Sequence, residues 1–218
     1  MKRYCFIDFD DTLVMGVQSW VLSSILPALL KEHDIVFDAE QFNQELLKAI
    51  EASNQSYALE EIGLNLFKEM TWPPHILKTI FNEIQTSYQP ILYEDAMPFL
   101  ERLLKADIAI CIISNNPHAA HDAPGLGLTA VVQAVITPDK EGVILPKPST
   151  TIWTHLQNQF EDIDVGQSFV VGDDPWSDGA FATAIGLPCF LVDREQRFRS
   201  LYETSPHVWV QTLGEIPF

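Results

Sequence analysis

Hydrophobic positions change their spacing along this chain, and each change marks a different element. Tyr4-Cys5-Phe6-Ile7 is a short unbroken apolar run that ends at an acidic stretch. It reads as a strand buried on both faces, being too short and too sharply bounded for a helix. From Val17 to Tyr88 the spacing becomes helical. Val21, Leu22, Ile25, Leu26, Leu29 and Leu30 mark one face of a first helix, with a kink expected at Pro27. Phe42, Leu46, Leu47 and Ile50 mark a second, and Leu59, Ile62, Leu66, Phe67 and Met70 a third. Ile76, Leu77, Ile80, Phe81, Ile84 and Tyr88 mark a fourth, set off by Trp72-Pro73-Pro74. One apolar stripe per helix is the pattern of a small bundle.

After Pro90 the character changes again. Glu94-Asp95 is placed to cap a helix running to about Lys105, with Phe99, Leu100, Leu103 and Leu104 inward. Ile108 to Ile113 is a continuous apolar run, hence a second strand buried on both faces. Strands and helices then alternate. Strands are predicted at Val131 to Ile136, Phe169 to Val171, Cys189 to Val192 and Val208 to Val210; helices at Thr150 to Phe160 and Trp176 to Ile185. Alternation of this kind predicts an α/β fold with a doubly wound, Rossmann-like parallel sheet. The expected domains are an α/β core from residues 1–14 and 91–218, and an all-helical domain, 15–90, inserted after the first strand. An insertion just past the acidic loop is expected to serve as a lid or specificity cap.

That acidic loop is Asp8-Phe9-Asp10-Asp11-Thr12-Leu13. It sits where a strand ends, the edge at which open α/β sheets bind ligands. Crowded carboxylates repel one another, and burying them is costly without a cation. Oxygen-only ligands suit a hard divalent ion, of which Mg²⁺ is the usual one. Three other polar groups follow predicted strands or lie in loops on the same side. They are Ser114-Asn115-Asn116, Lys147 between Pro146 and Pro148, and Gly172-Asp173-Asp174-Pro175-Trp176-Ser177-Asp178. A parallel sheet would gather them at one edge.

Charge narrows the partners. Asp and Glu number 30 against 13 Lys and Arg, a formal net charge of -17 over 218 residues. Such a surface repels phosphate backbones, so no nucleic-acid partner is expected. A site for an anionic substrate would need local positive charge from a metal, a Lys or backbone amides. No apolar run approaches the roughly 18 residues of a membrane span, and Lys2-Arg3 with its short apolar sequel is no secretory signal. Cys5, Cys111 and Cys189 lie in apolar runs without metal-ligand spacing, as reduced core thiols of a cytoplasmic protein would. Oligomeric state has no reading in the pattern.

Together these groups resemble the haloacid dehalogenase superfamily, in its phosphatase-like branch with a helical cap. Asp8-Phe9-Asp10-Asp11-Thr12 looks like the first signature motif, Ser114 the second and Lys147 the third. Asp173 and Asp178, with Gly172 before them and Ala182 and Gly186 after, look like the fourth. The resemblance implies a Mg²⁺-dependent hydrolase of a small phosphomonoester. Asp8 would be the nucleophile and Asp10 the acid/base. Lys147 and Ser114 would hold phosphoryl oxygens, aided by backbone amides near Phe9, Asp10 and Asn115. Asp8, the Asp10 carbonyl and Asp173 would hold the metal, with Asp178 behind them on metal-bound water. Thr12 is expected to tether the loop through its hydroxyl. A phosphomutase of the same fold is the alternative enzyme. A non-catalytic binding module is disfavoured, because Asp8, Asp10, Lys147 and Asp173 are all retained.

Some positions depart from the family pattern or stand outside it. Asp11 replaces a common Gly, Gly179 a branched apolar residue and Phe181 a small one. Asp174 is expected to be solvated or to support the metal ligands from behind. His118 and His121 are expected at a helix start. Trp20, Tyr57 and Trp72 are expected in the core of the helical domain.

Overall fold

Eight strands appear in the computed structural model, which describes residues 1–36, 39–53, 59–139 and 141–218. They are β1 (Tyr4–Ile7), β2 (Val14–Met15), β3 (Ile91–Leu92), β4 (Ala109–Ile113), β5 (Ala134–Ile136), β6 (Phe169–Gly172), β7 (Cys189–Val192) and β8 (Val208–Val210). Six form one sheet in the order β5-β4-β1-β6-β7-β8, and every neighbouring pair is parallel. From β1 the chain steps outward through β4 to β5, then crosses to the other side and steps outward through β6, β7 and β8. The direction of winding therefore reverses at β1, the switch point where such sheets bind ligands. Ile7 is in register with Ile112 on one side and Val171 on the other. The next residue, Asp8, donates its N–H to Val171 O at 2.8 Å.

Period-two alternation divides each central strand between two core layers. Cys5, Ile7, Ile110, Ile112 and Val171 pack with Phe99, Leu100 and Leu103 of the helix Ala96–Lys105. Tyr4, Phe6, Cys111, Ile113 and Val170 face the opposite layer, with Ile152, Leu156 and Phe181. All three cysteines are free and buried. Phe181 is fully buried in that second layer.

Three local expectations need correcting. The strand predicted from Val131 starts only at Ala134, because Val131 and Val132 both donate to Leu128 O and cannot join the ladder. The helix predicted from Trp176 begins as a wide turn, Pro175–Gly179, before α-helix Ala180–Ile185. Asp95 occupies the N-cap of helix Ala96–Lys105 without capping it; its carboxylate instead binds Arg194 and the Leu213 N–H.

The chain divides into two compact units, Met1–Met15 with Ile91–Phe218, and Gly16–Pro90. The linkers between them pair as the antiparallel strands β2 and β3. The second unit is helical, with helices Val17–Trp20, Leu26–Glu32, Ala39–Ser53, Leu59–Met70 and Pro74–Ser87. A wide turn, Val21–Ile25, interrupts its first stretch, and the Leu26 N–H reaches back to Val21 O. Pro27 stands just beyond, where a residue without an N–H cannot continue the regular ladder. Leu26, Leu30, Phe42, Leu46, Leu66, Met70, Ile76 and Ile80 are buried. Trp20 meets Tyr88 edge-on at 5.5 Å. Trp72 stacks on Phe42 at 5.9 Å and meets Phe67 at 5.2 Å. Tyr57 lies outside the described residues, as do the side chains of Leu47, Ile50, Leu59 and Ile62. No described helix is long and apolar enough to cross a membrane. Replacing Trp72 by Ala should destabilise the helical unit by about 3–5 kcal/mol, the usual cost of an aromatic core truncation. A lowered urea midpoint, followed by near-UV circular dichroism, would register it.

Candidate active site

Lys147 is 1% exposed, and its ammonium has three hydrogens to place. All three find acceptors: Asp8 Oδ1 at 2.5 Å, Asp178 Oδ1 at 2.5 Å and Ile113 O at 2.8 Å. These acceptors belong to the ends of β1 and β4 and to the loop after β6. Three segments far apart in sequence thus meet at one nitrogen. Asn115 fixes the backbone behind it. Its Oδ1 accepts the Lys147 N–H at 2.7 Å, and its Nδ2 donates to Lys147 O at 3.1 Å and Ser177 Oγ at 3.2 Å. Asn115 was expected beside substrate through its backbone amide. Its side chain is committed to holding Lys147, a role with no sequence signal beyond its place after Ser114.

Asp178 is equally enclosed. Its Oδ1 faces Lys147, and its Oδ2 accepts the N–H groups of Asp173 and Asp174, both at 3.2 Å. Gly172 makes room for this: a Cβ there would stand 2.1 Å from Asp178 Cγ. Asp174 is half-buried. Its Oδ1 accepts Trp176 N–H at 2.8 Å and Ser177 N–H at 3.1 Å, closing the wide turn. Gly179 ends that turn where a Cβ would stand 2.7 Å from His207 Nε2, so the imidazole fills the space a side chain would need.

In the first loop, Asp11 has φ 57°, a left-handed conformation that Gly adopts freely and Asp tolerates. Thr12 does not tether the loop through its hydroxyl, for which no partner exists among the described residues. Its carbonyl is held instead, by Arg194 at 2.9 Å. Ser114 is buried, and its Oγ accepts the Asn116 N–H at 3.0 Å. His118 and His121 are exposed; His121 Nδ1 lies 3.0 Å from Asp122 Oδ1.

The carboxylates form a strongly coupled group. Oxygens of Asp8, Asp173 and Asp178 lie within 4.8 Å of one another. Burial pushes Asp173 up, and the charges of Asp11, Asp8, Asp178 and Asp174 push it further. Burial also raises Asp8, with the Lys147 ammonium opposing. Asp10 is raised to about 6 by burial, against a hydrogen bond from the Asn116 side chain. Asp174 reaches about 6 by burial and the nearby Asp178 charge. Burial alone would lower Lys147, but Asp178 and Asp8 outweigh it and keep the ammonium charged. Arg197 is likewise held charged: burial is overcome by Asp11 and Asp173. Sequence reading missed Asn116, Ser177 and Arg197. Even with Lys147 and Arg197 charged, carboxylates predominate, and their oxygen-only donor set fits a hard divalent cation.

Comparison with known proteins gives the family and the fold. A family model described as haloacid dehalogenase-like hydrolase matches residues 2–186. The chain therefore belongs to the haloacid dehalogenase-like hydrolases. Solved structures share its fold over nearly the whole length. YfnB of Bacillus subtilis, bound to magnesium, is 16% identical, with 98% of this chain and 96% of that one covered and a TM-score of 0.63. The HAD phosphatase of Thermococcus onnurineus is 19% identical, with 98% and 95% covered and a TM-score of 0.59. The 2-haloacid dehalogenase of Pseudomonas syringae pv. Tomato is 17% identical, with 89% and 88% covered and a TM-score of 0.51. No curated protein matches the chain in sequence.

Two outcomes follow from the charge balance. Asp10 and Asp174 rise from 3.8 to about 6 on folding, and Asp8 and Asp173 also rise. The folded protein thus holds protons that the unfolded chain would release. The resulting stability is present below pH 3.8 and lost as pH rises through about 6 and beyond. In EDTA the cluster should therefore lower the melting temperature across that window, and Asp173→Asn should flatten the decline; thermal scans from pH 4 to 8 on the order of one unit apart would resolve it. Lys147→Met should cost about 3–5 kcal/mol in EDTA, because it leaves two buried carboxylates unpaired. Urea unfolding measures that loss.

Proposed function

We propose that the protein hydrolyses a small phosphomonoester through an aspartyl-phosphate on Asp8. The observation that carries this reading is the Lys147 ammonium bonded to both Asp8 and Asp178, with Asp173 beside them at the switch point of the sheet. An anionic carboxylate approaches an anionic phosphate only if positive charge offsets their repulsion. Mg²⁺ held by Asp8, Asp173 and the Asp10 carbonyl would supply that charge when bound, with Asp178 supporting the loop from behind.

The chain's own groups complete the cycle. An Asp8 oxygen forms a bond to phosphorus as the bond from phosphorus to the ester oxygen breaks. Asp10, raised to about 6, starts protonated in part at neutral pH and gives its proton to the departing alkoxide. The now ionised Asp10 takes a proton from water, which attacks phosphorus and frees the Asp8 carboxylate and inorganic phosphate. Ser114, whose Oγ accepts the Asn116 N–H and keeps its own hydrogen to donate, would hold one non-bridging oxygen, and Lys147 would hold another by exchanging its bond to Asp8 for one to the phosphoryl group. The helical unit, 16–90, serves as the cap that selects the leaving group. Asp10 favours phosphatase over dehalogenase chemistry, which has no leaving-group oxygen to protonate.

The purified protein should release phosphate from 4-nitrophenyl phosphate with Mg²⁺ and not with EDTA. Asp8→Asn should abolish turnover without unfolding the chain. Asp10→Asn should slow it by about 10²–10⁴-fold, the usual share of a positioned acid/base. Wild-type turnover by Asp8→Asn would overturn the covalent route.

A further inference from the structure

Outside the carboxylate cluster, one cation sits at the junction where the chain leaves and re-enters the α/β unit. Arg194 follows Asp193 at the end of β7, and Asp193 is immobilised. Its carboxylate accepts the N–H groups of Arg197 and Phe198, both at 2.8 Å, and the Tyr202 hydroxyl at 2.9 Å. From this fixed root Arg194 forks onto Asp95, Nη1 to Oδ2 and Nη2 to Oδ1, both at 2.9 Å. The same Nη2 donates to Thr12 O at 2.9 Å. The guanidinium lies over the Tyr93 ring, 3.9 Å from its centroid. Asp95 is steadied in turn by the Leu213 N–H at 2.9 Å.

We infer that Arg194 is a positioning residue for the reaction, clamping the loop that carries Asp8 and Asp10 to the strand returning from the helical unit. The inference rests on the phosphatase reading given above. Thr12 lies two residues past Asp10, and its hydroxyl has no partner among the described residues, so the loop is gripped here by its carbonyl. Tyr93, held under the guanidinium, donates its N–H to Leu13 O at 3.0 Å and its hydroxyl to Asp11 Oδ1 at 3.4 Å. The β2–β3 pairing, Val14 with Leu92 and Met15 with Ile91, continues the same seam. Arg194 thus bonds both linkers at once, through Thr12 on the outgoing side and Asp95 on the returning side. A planar fork with several donors can do this; a single ammonium cannot reproduce the bidentate grip. If the seam loosens, the nucleophile and the acid drift relative to the phosphoryl-holding groups. Misplacement by about 1 Å can cost on the order of 10²-fold in rate.

The test compares Arg194→Met, Arg194→Lys and Asp95→Asn with the wild type and with Arg199→Met. Arg199 is exposed and, among the described residues, its side chain donates a hydrogen bond only to Gln196, so its variant removes a nearby cation without breaking a bond to Thr12, Tyr93 or Asp95. Two readouts are taken: kcat and KM for 4-nitrophenyl phosphate with Mg²⁺, and amide hydrogen exchange by mass spectrometry. We expect Arg194→Met to lower kcat by about 10- to 100-fold with KM within about twofold. Peptides covering 8–15 and 91–96 should exchange faster while those of β4 and β6 stay protected. Arg194→Lys should not restore kcat, and Arg199→Met should match the wild type. The clamp is refuted if Arg194→Met leaves kcat and exchange over 8–15 unchanged. It is also refuted if Arg194→Lys restores full kcat, or if exchange rises evenly across the unit, as a general loss of stability would cause. A wild type that releases no phosphate refutes the phosphatase reading instead, and the exchange measurements still decide the clamp.

Discussion

One buried ammonium constrains the rest of the α/β unit. Taking Lys147 out of water costs several kcal/mol unless its charge is met and its hydrogens are bonded, about as much as a domain's margin of stability. It can be satisfied only where Asp8, Asp178 and the Ile113 carbonyl come together. Those groups sit at the ends of β1, β6 and β4, so the ammonium is compatible with one strand order and one register. A one-residue slip of β4 would also exchange the two core layers. Electrostatics and packing therefore demand the same arrangement, and the reverse dependence holds too, since Asp178 without Lys147 would be a buried charge with two amides and no counter-ion.

Two of the three carboxylates in the loop after β6 divide the work. Asp178 has both oxygens engaged, one by Lys147 and one by the amides of Asp173 and Asp174. Among the described residues no hydrogen bond reaches the Asp173 carboxylate, although it is raised by burial and by four neighbouring charges. A group in that condition is poised for a cation. Asp178 shapes the loop so that Asp173 can stay uncommitted, and Gly172 is glycine because only then can Asp178 come so close. Loop geometry and ligand availability are one design.

What the sequence made legible was whatever leaves a periodic or compositional trace. Unbroken runs such as Ile108 to Ile113 announced buried parallel strands, and acidic or polar groups at their ends announced the site edge. The partners of Asn115, Thr12, Asp95 and Arg194 left no such trace. Arg194 meets Thr12 across 182 positions and Asp95 across 99, and nothing local encodes a bond of that span. Asp95 looked like a helix cap because its neighbours are those of a cap; tertiary demand from Arg194 and Leu213 overrode that preference. Val131 and Val132 looked like strand because they are β-branched, but Leu128 O captures their N–H groups first. Local preference failed at the points where a distant group competed for the same hydrogen bond.

The overall charge sharpens what the site can accept. At -17 the chain repels polyanions at a distance, and the positive charge that faces the carboxylate cluster comes from Lys147 and Arg197 among the described residues. Attraction for an anion is therefore short-ranged, felt only close to the switch point of the sheet. For the phosphomonoester substrate proposed above, a neutral or cationic body beside the phosphoryl group would gain that attraction with the least penalty outside it. The same reasoning separates labour between the units. Chemistry depends on the rigid strand ends of the α/β unit, where charges must be fixed. The helical insertion supplies none of the three acceptors of the Lys147 ammonium, all of which lie in the α/β unit.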